Sequence, residues 1–335
     1  MPNMRQIARL AGVSLGTVSM ALRNDSRVRL ATRVRIHALA EKYGYLPNRP
    51  SRDTSKSGLL GVVLHHPLGP FYASLLQGVL KQAYQDHLQV VVNQLDNSSS
   101  ANAMMAAESL LEQHVEGIVF AVALGELLPR DLLLEIRSAG VAPVCVMENK
   151  FVAPCDCVTS SEDEQAHLIA DYLWQLGHRD IAYIGIINVS SVHRFAALET
   201  ALKRAGLKCS FQFNSDAPQG YASALTALRH ATPRPTAVVA YNDLVAGYLL
   251  QYALRQGMHI PHDLSIVGFG DSYGDLLIPK LTTVEQFPEL IGSAAVALIR
   301  KRAGMLPSVT EYVPETSCIP PRLLVRESSG PVAKA

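Results

Sequence analysis

Between residues 59 and 269, short runs of branched apolar residues alternate with helical segments, and this alternation limits the possible folds more than any other feature. The first run, Leu59 to Leu64, has the character of a buried strand and precedes a helical segment from Ala73 to His87. The alternation restarts with a helix from Glu164 to Leu176 and a strand from Ile181 to Ile186. Repeated βα units build parallel sheets that helices cover on both faces. We therefore predict two doubly wound parallel-sheet lobes that bind a ligand between their strand ends.

The first 56 residues differ from the rest of the chain in charge. They hold eleven Lys/Arg and three Asp/Glu residues, a balance of +8, whereas the remainder holds 19 and 26, a balance of −7. A basic head on an acidic body favours a polyanion such as nucleic acid as the partner of the head. A solvated basic tail would have the same composition, so the charge alone does not decide between the two.

Three short helical patterns fit into residues 1–46 and predict an all-α head. The first has apolar residues at helical spacing from Met4 to Ala11, followed by Gly12, a residue type that ends helices in the left-handed conformation. Ser14 is suited to cap a second helix by accepting a backbone N–H. A third helix is predicted from Ala31 to Tyr43.

The spacing of Ala8, Gly12 and Val18 indicates a helix-turn-helix. Two short helices that cross closely need a small residue, a turn glycine and a buried branched residue at these positions. The arrangement leaves the start of the second helix protruding, free to enter a major groove. Its predicted outward residues are Leu15, Gly16, Thr17, Ser19 and Met20.

The head resembles the lactose/galactose-repressor family in two runs of residues. One is Ile7-Ala8-x-Leu10-Ala11-Gly12-Val13-Ser14-x-x-Thr17-Val18-Ser19, and the other is Thr32-Arg33 … Gly44-Tyr45-x-Pro47-Asn48. The resemblance implies a transcriptional repressor that reads a pseudo-palindromic operator in double-stranded DNA as a homodimer, with one recognition helix in each half-site. The DNA-binding residues expected on this basis are Arg5, Ser14, Leu15, Gly16, Thr17, Ser19, Met20, Arg23, Asn48 and Arg52.

Met20 departs from the family pattern, which usually has Arg after Thr-Val-Ser. Methionine offers only apolar contacts to a base edge, for instance to a thymine methyl group. Because Leu15 and Gly16 are also apolar, we expect few direct hydrogen bonds to bases. Basic residues such as Arg5 and Arg23 would then contact mainly phosphates, which position the protein without specifying sequence.

The linker, residues 47–58, is the weakest match. The family usually has a short helix here that inserts a leucine into the minor groove, whereas this chain has Thr54 at that position and Pro50 within the stretch. The sequence fits a flexible polar linker, and it also leaves open that Arg52 or Lys56 enters the minor groove.

The body resembles the same family along nearly its whole length. Specific matches are Leu176-Gly177-His178-Arg179-Asp180-Ile181-Ala182-Tyr183-Ile184-Gly185, Asn242-Asp243-x-x-Ala246 and Asp263-Leu264-Ser265-Ile266-Val267-Gly268-Phe269. The resemblance implies a periplasmic-binding-protein-like body. We predict that the N-terminal lobe consists of residues 59–157 and a later segment, about 287–307. A helix in that later segment should pack on the lobe. The C-terminal lobe is predicted as 158–284 with 309–328, although the pattern does not fix the sheet of the final strand, Leu323 to Arg326.

Five residues are expected to contact a small-molecule effector, a sugar or related metabolite. Phe71 and Tyr72 would form aromatic walls for a ring face. By the resemblance, Arg194 would clamp ligand oxygens and Asn242 would donate and accept at neighbouring hydroxyls. The family commonly has an acid one position before Asp271, so Asp271 either replaces that acid or the effector is not an ordinary sugar.

Enzymatic alternatives find little support in the sequence. The glycine-rich run 268–274 has one residue too many for a dinucleotide-binding fingerprint, and the chain lacks the usual phosphate-loop, nucleophile-elbow and zinc-protease motifs. We expect no catalytic residues, no cofactor and no metal; metal binding at His65-His66 is the weaker interpretation. A pure ligand-binding protein is disfavoured by the basic head.

Composition points to a cytoplasmic protein. The start of the chain has no apolar signal segment, and no apolar run approaches the roughly 18 residues of a membrane helix. Five scattered cysteines do not form a disulfide pattern, and Cys155-x-Cys157 is expected to hold buried or half-buried thiols.

Overall fold

A computed structural model describes residues 4–22, 27–43, 57–65, 69–95, 100–122, 130–146, 155–303 and 312–332. The chain divides into two compact units, a head of residues 1–56 and a body of residues 57–335. The linker residues 47–56, with Asn48 and Arg52, lie outside the described ranges, as does Arg23.

The head contains three helices, α1 (Met4–Ala11), α2 (Leu15–Leu22) and α3 (Leu30–Lys42). Gly12 ends α1 with φ +62°, as its residue type predicted. Ser14 caps α2, because its Oγ accepts the backbone N–H of Thr17 at 3.0 Å. The predicted helices are therefore confirmed, with α3 shifted by one residue toward the N-terminus.

One branched residue from each helix forms the centre of the head core. Ile7, Val18 and Ile36 are fully buried and pack together with smaller apolar residues. The guanidinium of Arg35 on α3 donates to the carbonyl of Ala11, the last residue of α1. The three helices thus fold around one small core, and the predicted inward position of Val18 is confirmed.

The body contains twelve strands and eight helices in its described ranges. The strands are β1 (Leu59–His65), β2 (Gln89–Leu95), β3 (Gly117–Ala121), β4 (Ala142–Cys145), β5 (Asp156–Thr159), β6 (Asp180–Gly185), β7 (Lys208–Asn214), β8 (Ala237–Ala240), β9 (Ser265–Phe269), β10 (Thr282–Glu285), β11 (Thr316–Cys318) and β12 (Arg322–Leu324). The helices are α4 (Pro70–Gln85), α5 (Ser100–Glu112), α6 (Arg130–Ser138), α7 (Glu162–Gln175), α8 (Val189–Arg204), α9 (Pro218–Arg229), α10 (Asp243–Arg255) and α11 (Pro288–Arg302).

These strands form two six-stranded sheets, one for each lobe. The first has the order β11-β5-β4-β3-β1-β2 and is parallel throughout. The second has the order β12-β10-β9-β8-β6-β7 and is parallel except for β12, which runs antiparallel to β10. Leu60, Val62 and Val63 of β1 are fully buried because helices cover both faces of the sheet. The prediction of two doubly wound lobes is confirmed.

The chain crosses between the two sheets three times, after β5, after β10 and after β11. The predicted division at residues 157/158 was wrong, because it cuts β5, which continues to Thr159 in the first sheet. The assignment of 309–328 to the second lobe was also wrong in part, since β11 belongs to the first sheet and only β12 to the second. Strands of three or four residues are too short to show a period in the sequence.

Two of these crossings are joined by buried side-chain amides. The amide nitrogen of Gln286 donates to Oε1 of Gln165 at 2.8 Å, and the Gln165 nitrogen donates to the carbonyl of Ser160 at 2.9 Å. Ser160 follows β5 and Gln286 follows β10. Buried amides of this kind need complete hydrogen bonding, so they fix the crossing segments against each other.

Helix α11 returns to the first lobe and packs closely against α4. Added Cβ atoms at Gly78 and Gly292 would overlap the backbone carbonyl oxygens of Glu289 and Leu75, respectively. Only glycine allows the two backbones to approach so closely. The predicted packing of this helix on the first lobe is confirmed, because Ile291 lies in that lobe's core.

Candidate functional sites

The start of α2 is the most exposed part of the predicted DNA-reading surface. Leu15 is 44 % exposed, and Ser14 and Gly16 beside it are also exposed. Arg5 on α1 is exposed as well, whereas Thr17 and Ser19 are half-buried. The Ser14 hydroxyl also lies 2.8 Å from that of Thr17. Ser14 and the first residues of α2 form one end of a short helix, a shape that fits a major groove.

Met20 is less available than its predicted outward position implied. It is half-buried and packs against the core of the head. Leu15 therefore offers the largest exposed apolar side chain on α2. Arg23, Asn48 and Arg52, the other predicted DNA contacts, lie outside the described residues.

In the body, Phe71 and Tyr72 lie in the first turn of α4, and their rings meet edge to face with centroids 5.5 Å apart. Both are half-buried. Burial raises the pKa of Tyr72 to about 12, and the neighbouring phenol of Tyr241 adds to this shift while Arg194 opposes it. Tyr241 and Arg194 belong to the second lobe, so the Tyr72 phenol lies within electrostatic range of groups on the other side of the lobe boundary.

Arg194 is held by groups from three elements of the second lobe. Its Nη1 donates to the carbonyl of Tyr241 at 2.6 Å, and its Nη2 pairs with Glu162 at 3.3 Å. Its guanidinium carbon lies 4.9 Å from the ring centre of Tyr241 and 4.7 Å from that of Phe269. Burial alone would lower the pKa of Arg194, but Glu162 and the surrounding phenols outweigh it, and the net shift is upward.

The guanidinium of Arg194 therefore stays charged, and two of its nitrogens already bind groups of the protein. Its Nε is buried and has no hydrogen-bond acceptor among the described residues. A bidentate clamp on a ligand, the role predicted for Arg194, would compete with its contacts to Tyr241 and Glu162. A single donated hydrogen bond would not.

Asn242 follows the end of β8 and caps α10. Its Oδ1 accepts the backbone N–H of Val245 at 2.9 Å, so the oxygen is used and the Nδ2 group remains to donate. Since Arg194 binds the carbonyl of the preceding residue, Tyr241, the structure brings Arg194 and Asn242 together at the carboxyl edge of the second sheet. This is the edge predicted from the sequence.

Asp271 lies near this edge but is already paired. It has φ +52°, and its Oδ1 is 2.7 Å from Nη1 of Arg326. The loop that follows Asp271 is fixed by buried Asp243, which accepts from the Thr283 hydroxyl at 2.6 Å and from the backbone N–H of Ser272 at 2.7 Å. Burial raises the pKa of Asp243. An effector that bound Oδ1 of Asp271 would compete with Arg326.

Sequence reasoning missed the residues that position Arg194. Tyr241 could have been found, because it lies between a predicted strand and the predicted ligand residue Asn242. Glu162 offered no such signal, since it lies 32 positions before Arg194 and meets it only through the packing of α7 against α8. Phe269 appeared only as part of a matching run.

Two surface cavities of the described body lie elsewhere. One of about 300 Å³ is lined by residues of β2 and α5, including Asn93 and Asn102. The other, of about 310 Å³, is lined by His178, Thr236 and His262 among others. Neither includes the predicted effector residues, so the candidate site rests on the convergence of side chains around Arg194 and not on cavity volume.

Two features are absent from the described ranges of the chain. No helix there is long and apolar enough to cross a membrane. Within the same ranges, no group of three or more His, Cys, Asp or Glu side chains is arranged to hold a metal ion.

Comparison with known proteins agrees with both parts of the structure. The family model for bacterial regulatory proteins of the lacI family matches residues 3–48, and a periplasmic binding protein-like domain matches residues 170–329. The transcriptional repressor CytR of Escherichia coli K12 is 28% identical over 306 residues, covering 88% of each chain.

Two solved structures share the fold of the whole chain. The transcriptional regulator CelR in complex with cellobiose has a TM-score of 0.70 and 26% identity, and it covers 98% of this chain and 100% of that chain. The Lac repressor dimer bound to operator and the anti-inducer ONPF has a TM-score of 0.72 and 23% identity, with 98% and 99% covered. With its helix-turn-helix head and two-lobed body, the chain belongs to the lacI family of bacterial regulatory proteins and is a DNA-binding transcriptional regulator.

Proposed function

We propose that this regulator represses transcription by binding a pseudo-palindromic operator as a homodimer, under the control of a sugar or related metabolite bound between its lobes. The convergence of Tyr72 with Arg194 and Asn242 carries the effector part of the proposal, since it joins both lobes at one sheet edge. A ligand that bound there would contact both lobes and change their closure.

Three similar proteins support repression, effector binding and operator binding as a dimer, respectively. CytR is named a repressor, CelR was solved with cellobiose, and the Lac repressor was solved as a dimer on its operator. The exposed start of α2 supports recognition in the major groove through Leu15 and its neighbours. We also propose that the protein acts by binding without catalysis and works in the cytoplasm, where a repressor meets chromosomal DNA.

One experiment tests DNA binding and its control together. The full chain selects duplexes from random DNA, and fluorescence anisotropy then compares the full chain with a fragment that starts at Ser57, the first residue of the body. We expect salt-sensitive, specific binding by the full chain only, because the basic charge lies in residues 1–56.

The same selected duplex is then titrated in the presence of ribose or cellobiose. An effector should change operator affinity about 5- to 150-fold, the usual range of allosteric coupling. Specific binding by the Ser57 fragment would show that the head assignment is wrong. Unchanged affinity with either sugar would exclude these two as effectors and leave DNA recognition untouched.

A further inference from the structure

We propose that Cys145 and Cys155 form an oxidative modification site, in which a small peroxide converts this buried thiol pair to a reversible disulfide. The two sulfur atoms lie 2.9 Å apart, and neither is bonded to another sulfur. Cys145 is completely buried and Cys155 is 4 % exposed. The site is independent of the head and of the residues around Arg194.

The backbone already places the two cysteines close to bonding distance. Cys145 is the last residue of β4, and Cys155 immediately precedes β5, its neighbour in the first sheet. The two strands are parallel, with Val144 opposite Asp156. A disulfide has a sulfur–sulfur distance of about 2.0 Å, so a shift of roughly 1 Å between the side chains is enough.

The start of β5 is held in place by buried polar contacts. Asp156 accepts from Nε and Nη2 of Arg302 at 2.8 and 2.9 Å and from the backbone N–H of Glu315 at 2.8 Å. Cys157 in turn donates its N–H to the carbonyl of Glu315 at 2.8 Å. These contacts fix the backbone on the C-terminal side of Cys155 and keep its sulfur beside Cys145.

The chemistry balances without any group from the protein other than the two thiols. The sulfur of Cys155 attacks one peroxide oxygen, the O–O bond breaks, and a sulfenic acid and water result. Cys145 then attacks that sulfur, the S–O bond breaks, and a second water leaves with the thiol proton. Each sulfur loses one electron and the two peroxide oxygens gain one each, so two thiols and hydrogen peroxide give a disulfide and two waters.

The burial of the two thiols sets the order of these steps. Cys145 has no exposed surface, and burial raises the pKa of its thiol well above the usual range, which disfavours it as the first nucleophile. Cys155 is slightly exposed and reacts first. Cys318 on β11 is exposed and serves as an internal measure of the oxidant dose.

The test treats the reduced full chain with hydrogen peroxide, blocks the remaining thiols with N-ethylmaleimide, and maps non-reduced tryptic peptides by mass spectrometry. Cleavage after Arg137, Lys150 and Arg179 places Cys145 in peptide 138–150 and Cys155 with Cys157 in peptide 151–179. We expect these peptides to be cross-linked, with two of the five thiols lost to the cross-link besides any oxidation at Cys318, and dithiothreitol to reverse the cross-link.

Three variants identify the bonded sulfurs, because Cys157 lies opposite Cys145 in the strand register. Cys145→Ser and Cys155→Ser should lose the cross-link, whereas Cys157→Ser should keep it. The proposal is overturned if Cys318 is oxidised in the wild-type chain with no cross-link between the two peptides. A cross-link that persists in Cys155→Ser and disappears in Cys157→Ser would also overturn it.

Discussion

At the scale of single residues, Arg194 has a structural role that its place in a ligand site does not suggest. The side chains of Arg194 and Glu162 are only 11 % and 15 % exposed, and the guanidinium also binds the Tyr241 carbonyl. A buried ion pair is costly to break from one side, because the remaining charge loses its partner. Arg194 therefore orders the second lobe before any ligand arrives.

We predict that Arg194→Ala lowers the free energy of unfolding by about 3 kcal/mol, the lower end of the range for removing one member of a buried pair. Lys203→Ala is a matched control, since it removes a cation of the same helix whose pair with Glu199 is 69 % and 43 % exposed. The control should change stability by less than about 0.5 kcal/mol. Urea unfolding measures both, and equal effects of the two substitutions would refute the structural role.

Some residues of the candidate effector site could be predicted from the sequence, and others could not. Arg194 and Asn242 were predicted because they match family positions, and the structure places them at one sheet edge. The pairing of Asp271 with Arg326 could not be predicted, since the two are brought together only by the return of the chain to β12. No local pattern encodes such a contact.

At the scale of elements, the crossing of α4 and α11 depends on two glycines. A Cβ at Gly292 would overlap the carbonyl oxygen of Leu75 and lie 2.9 Å from the nitrogen of Val79, both backbone atoms. In contrast, a Cβ at Gly247 of α10 would meet only the flexible end of Leu277, at 3.3 Å. The same substitution should therefore have opposite effects in the two helices.

We predict that Gly292→Ala destabilises the body by about 1–3 kcal/mol through overpacking. Gly247→Ala should be neutral or stabilising by up to about 1 kcal/mol, because alanine favours helix. Chemical denaturation of the two variants in parallel gives the sign of each effect. If Gly292→Ala were as stable as the wild type, the close approach of α4 and α11 would be wrong.

Elements with a clear apolar pattern were predictable, and elements without one were not. The helix α7 and the strands β1 and β6 were located from their sequence patterns, with ends in error by at most two residues. No sequence pattern indicated β7 as a strand, because it is only partly buried and mixes polar with apolar residues. Short strands such as β11 depend on neighbours far away in the chain.

At the scale of the whole molecule, an exposed apolar surface on the second lobe fits contact with a second copy. Leu276 and Ile278 are 79 % and 83 % exposed in the segment between β9 and β10, and Leu244 on α10 is 51 % exposed. The segment packs on α10, since Leu277 lies against Gly247. Exposed apolar groups of this size are typical of protein interfaces.

We predict that Ile278→Asp shifts the protein from dimer to monomer, because a buried unpaired carboxylate at the interface is strongly unfavourable. Val325→Asp, which replaces another exposed apolar residue of the second lobe, should leave the dimer intact. Sedimentation equilibrium gives the mass of each variant. A dimeric Ile278→Asp protein would place the interface elsewhere.

The three crossings between the sheets restrict where recombination between related proteins can join their chains. Neither lobe is one continuous stretch of chain, because α11 and β11 of the first lobe lie between β10 and β12 of the second. A recombination point inside the body would combine strands from two parents within one sheet and separate partners such as Gln165 and Gln286. The junction at residues 56 and 57 divides two compact units instead. New pairings of operator and effector should therefore arise by exchange of whole heads, while the body is inherited as one piece.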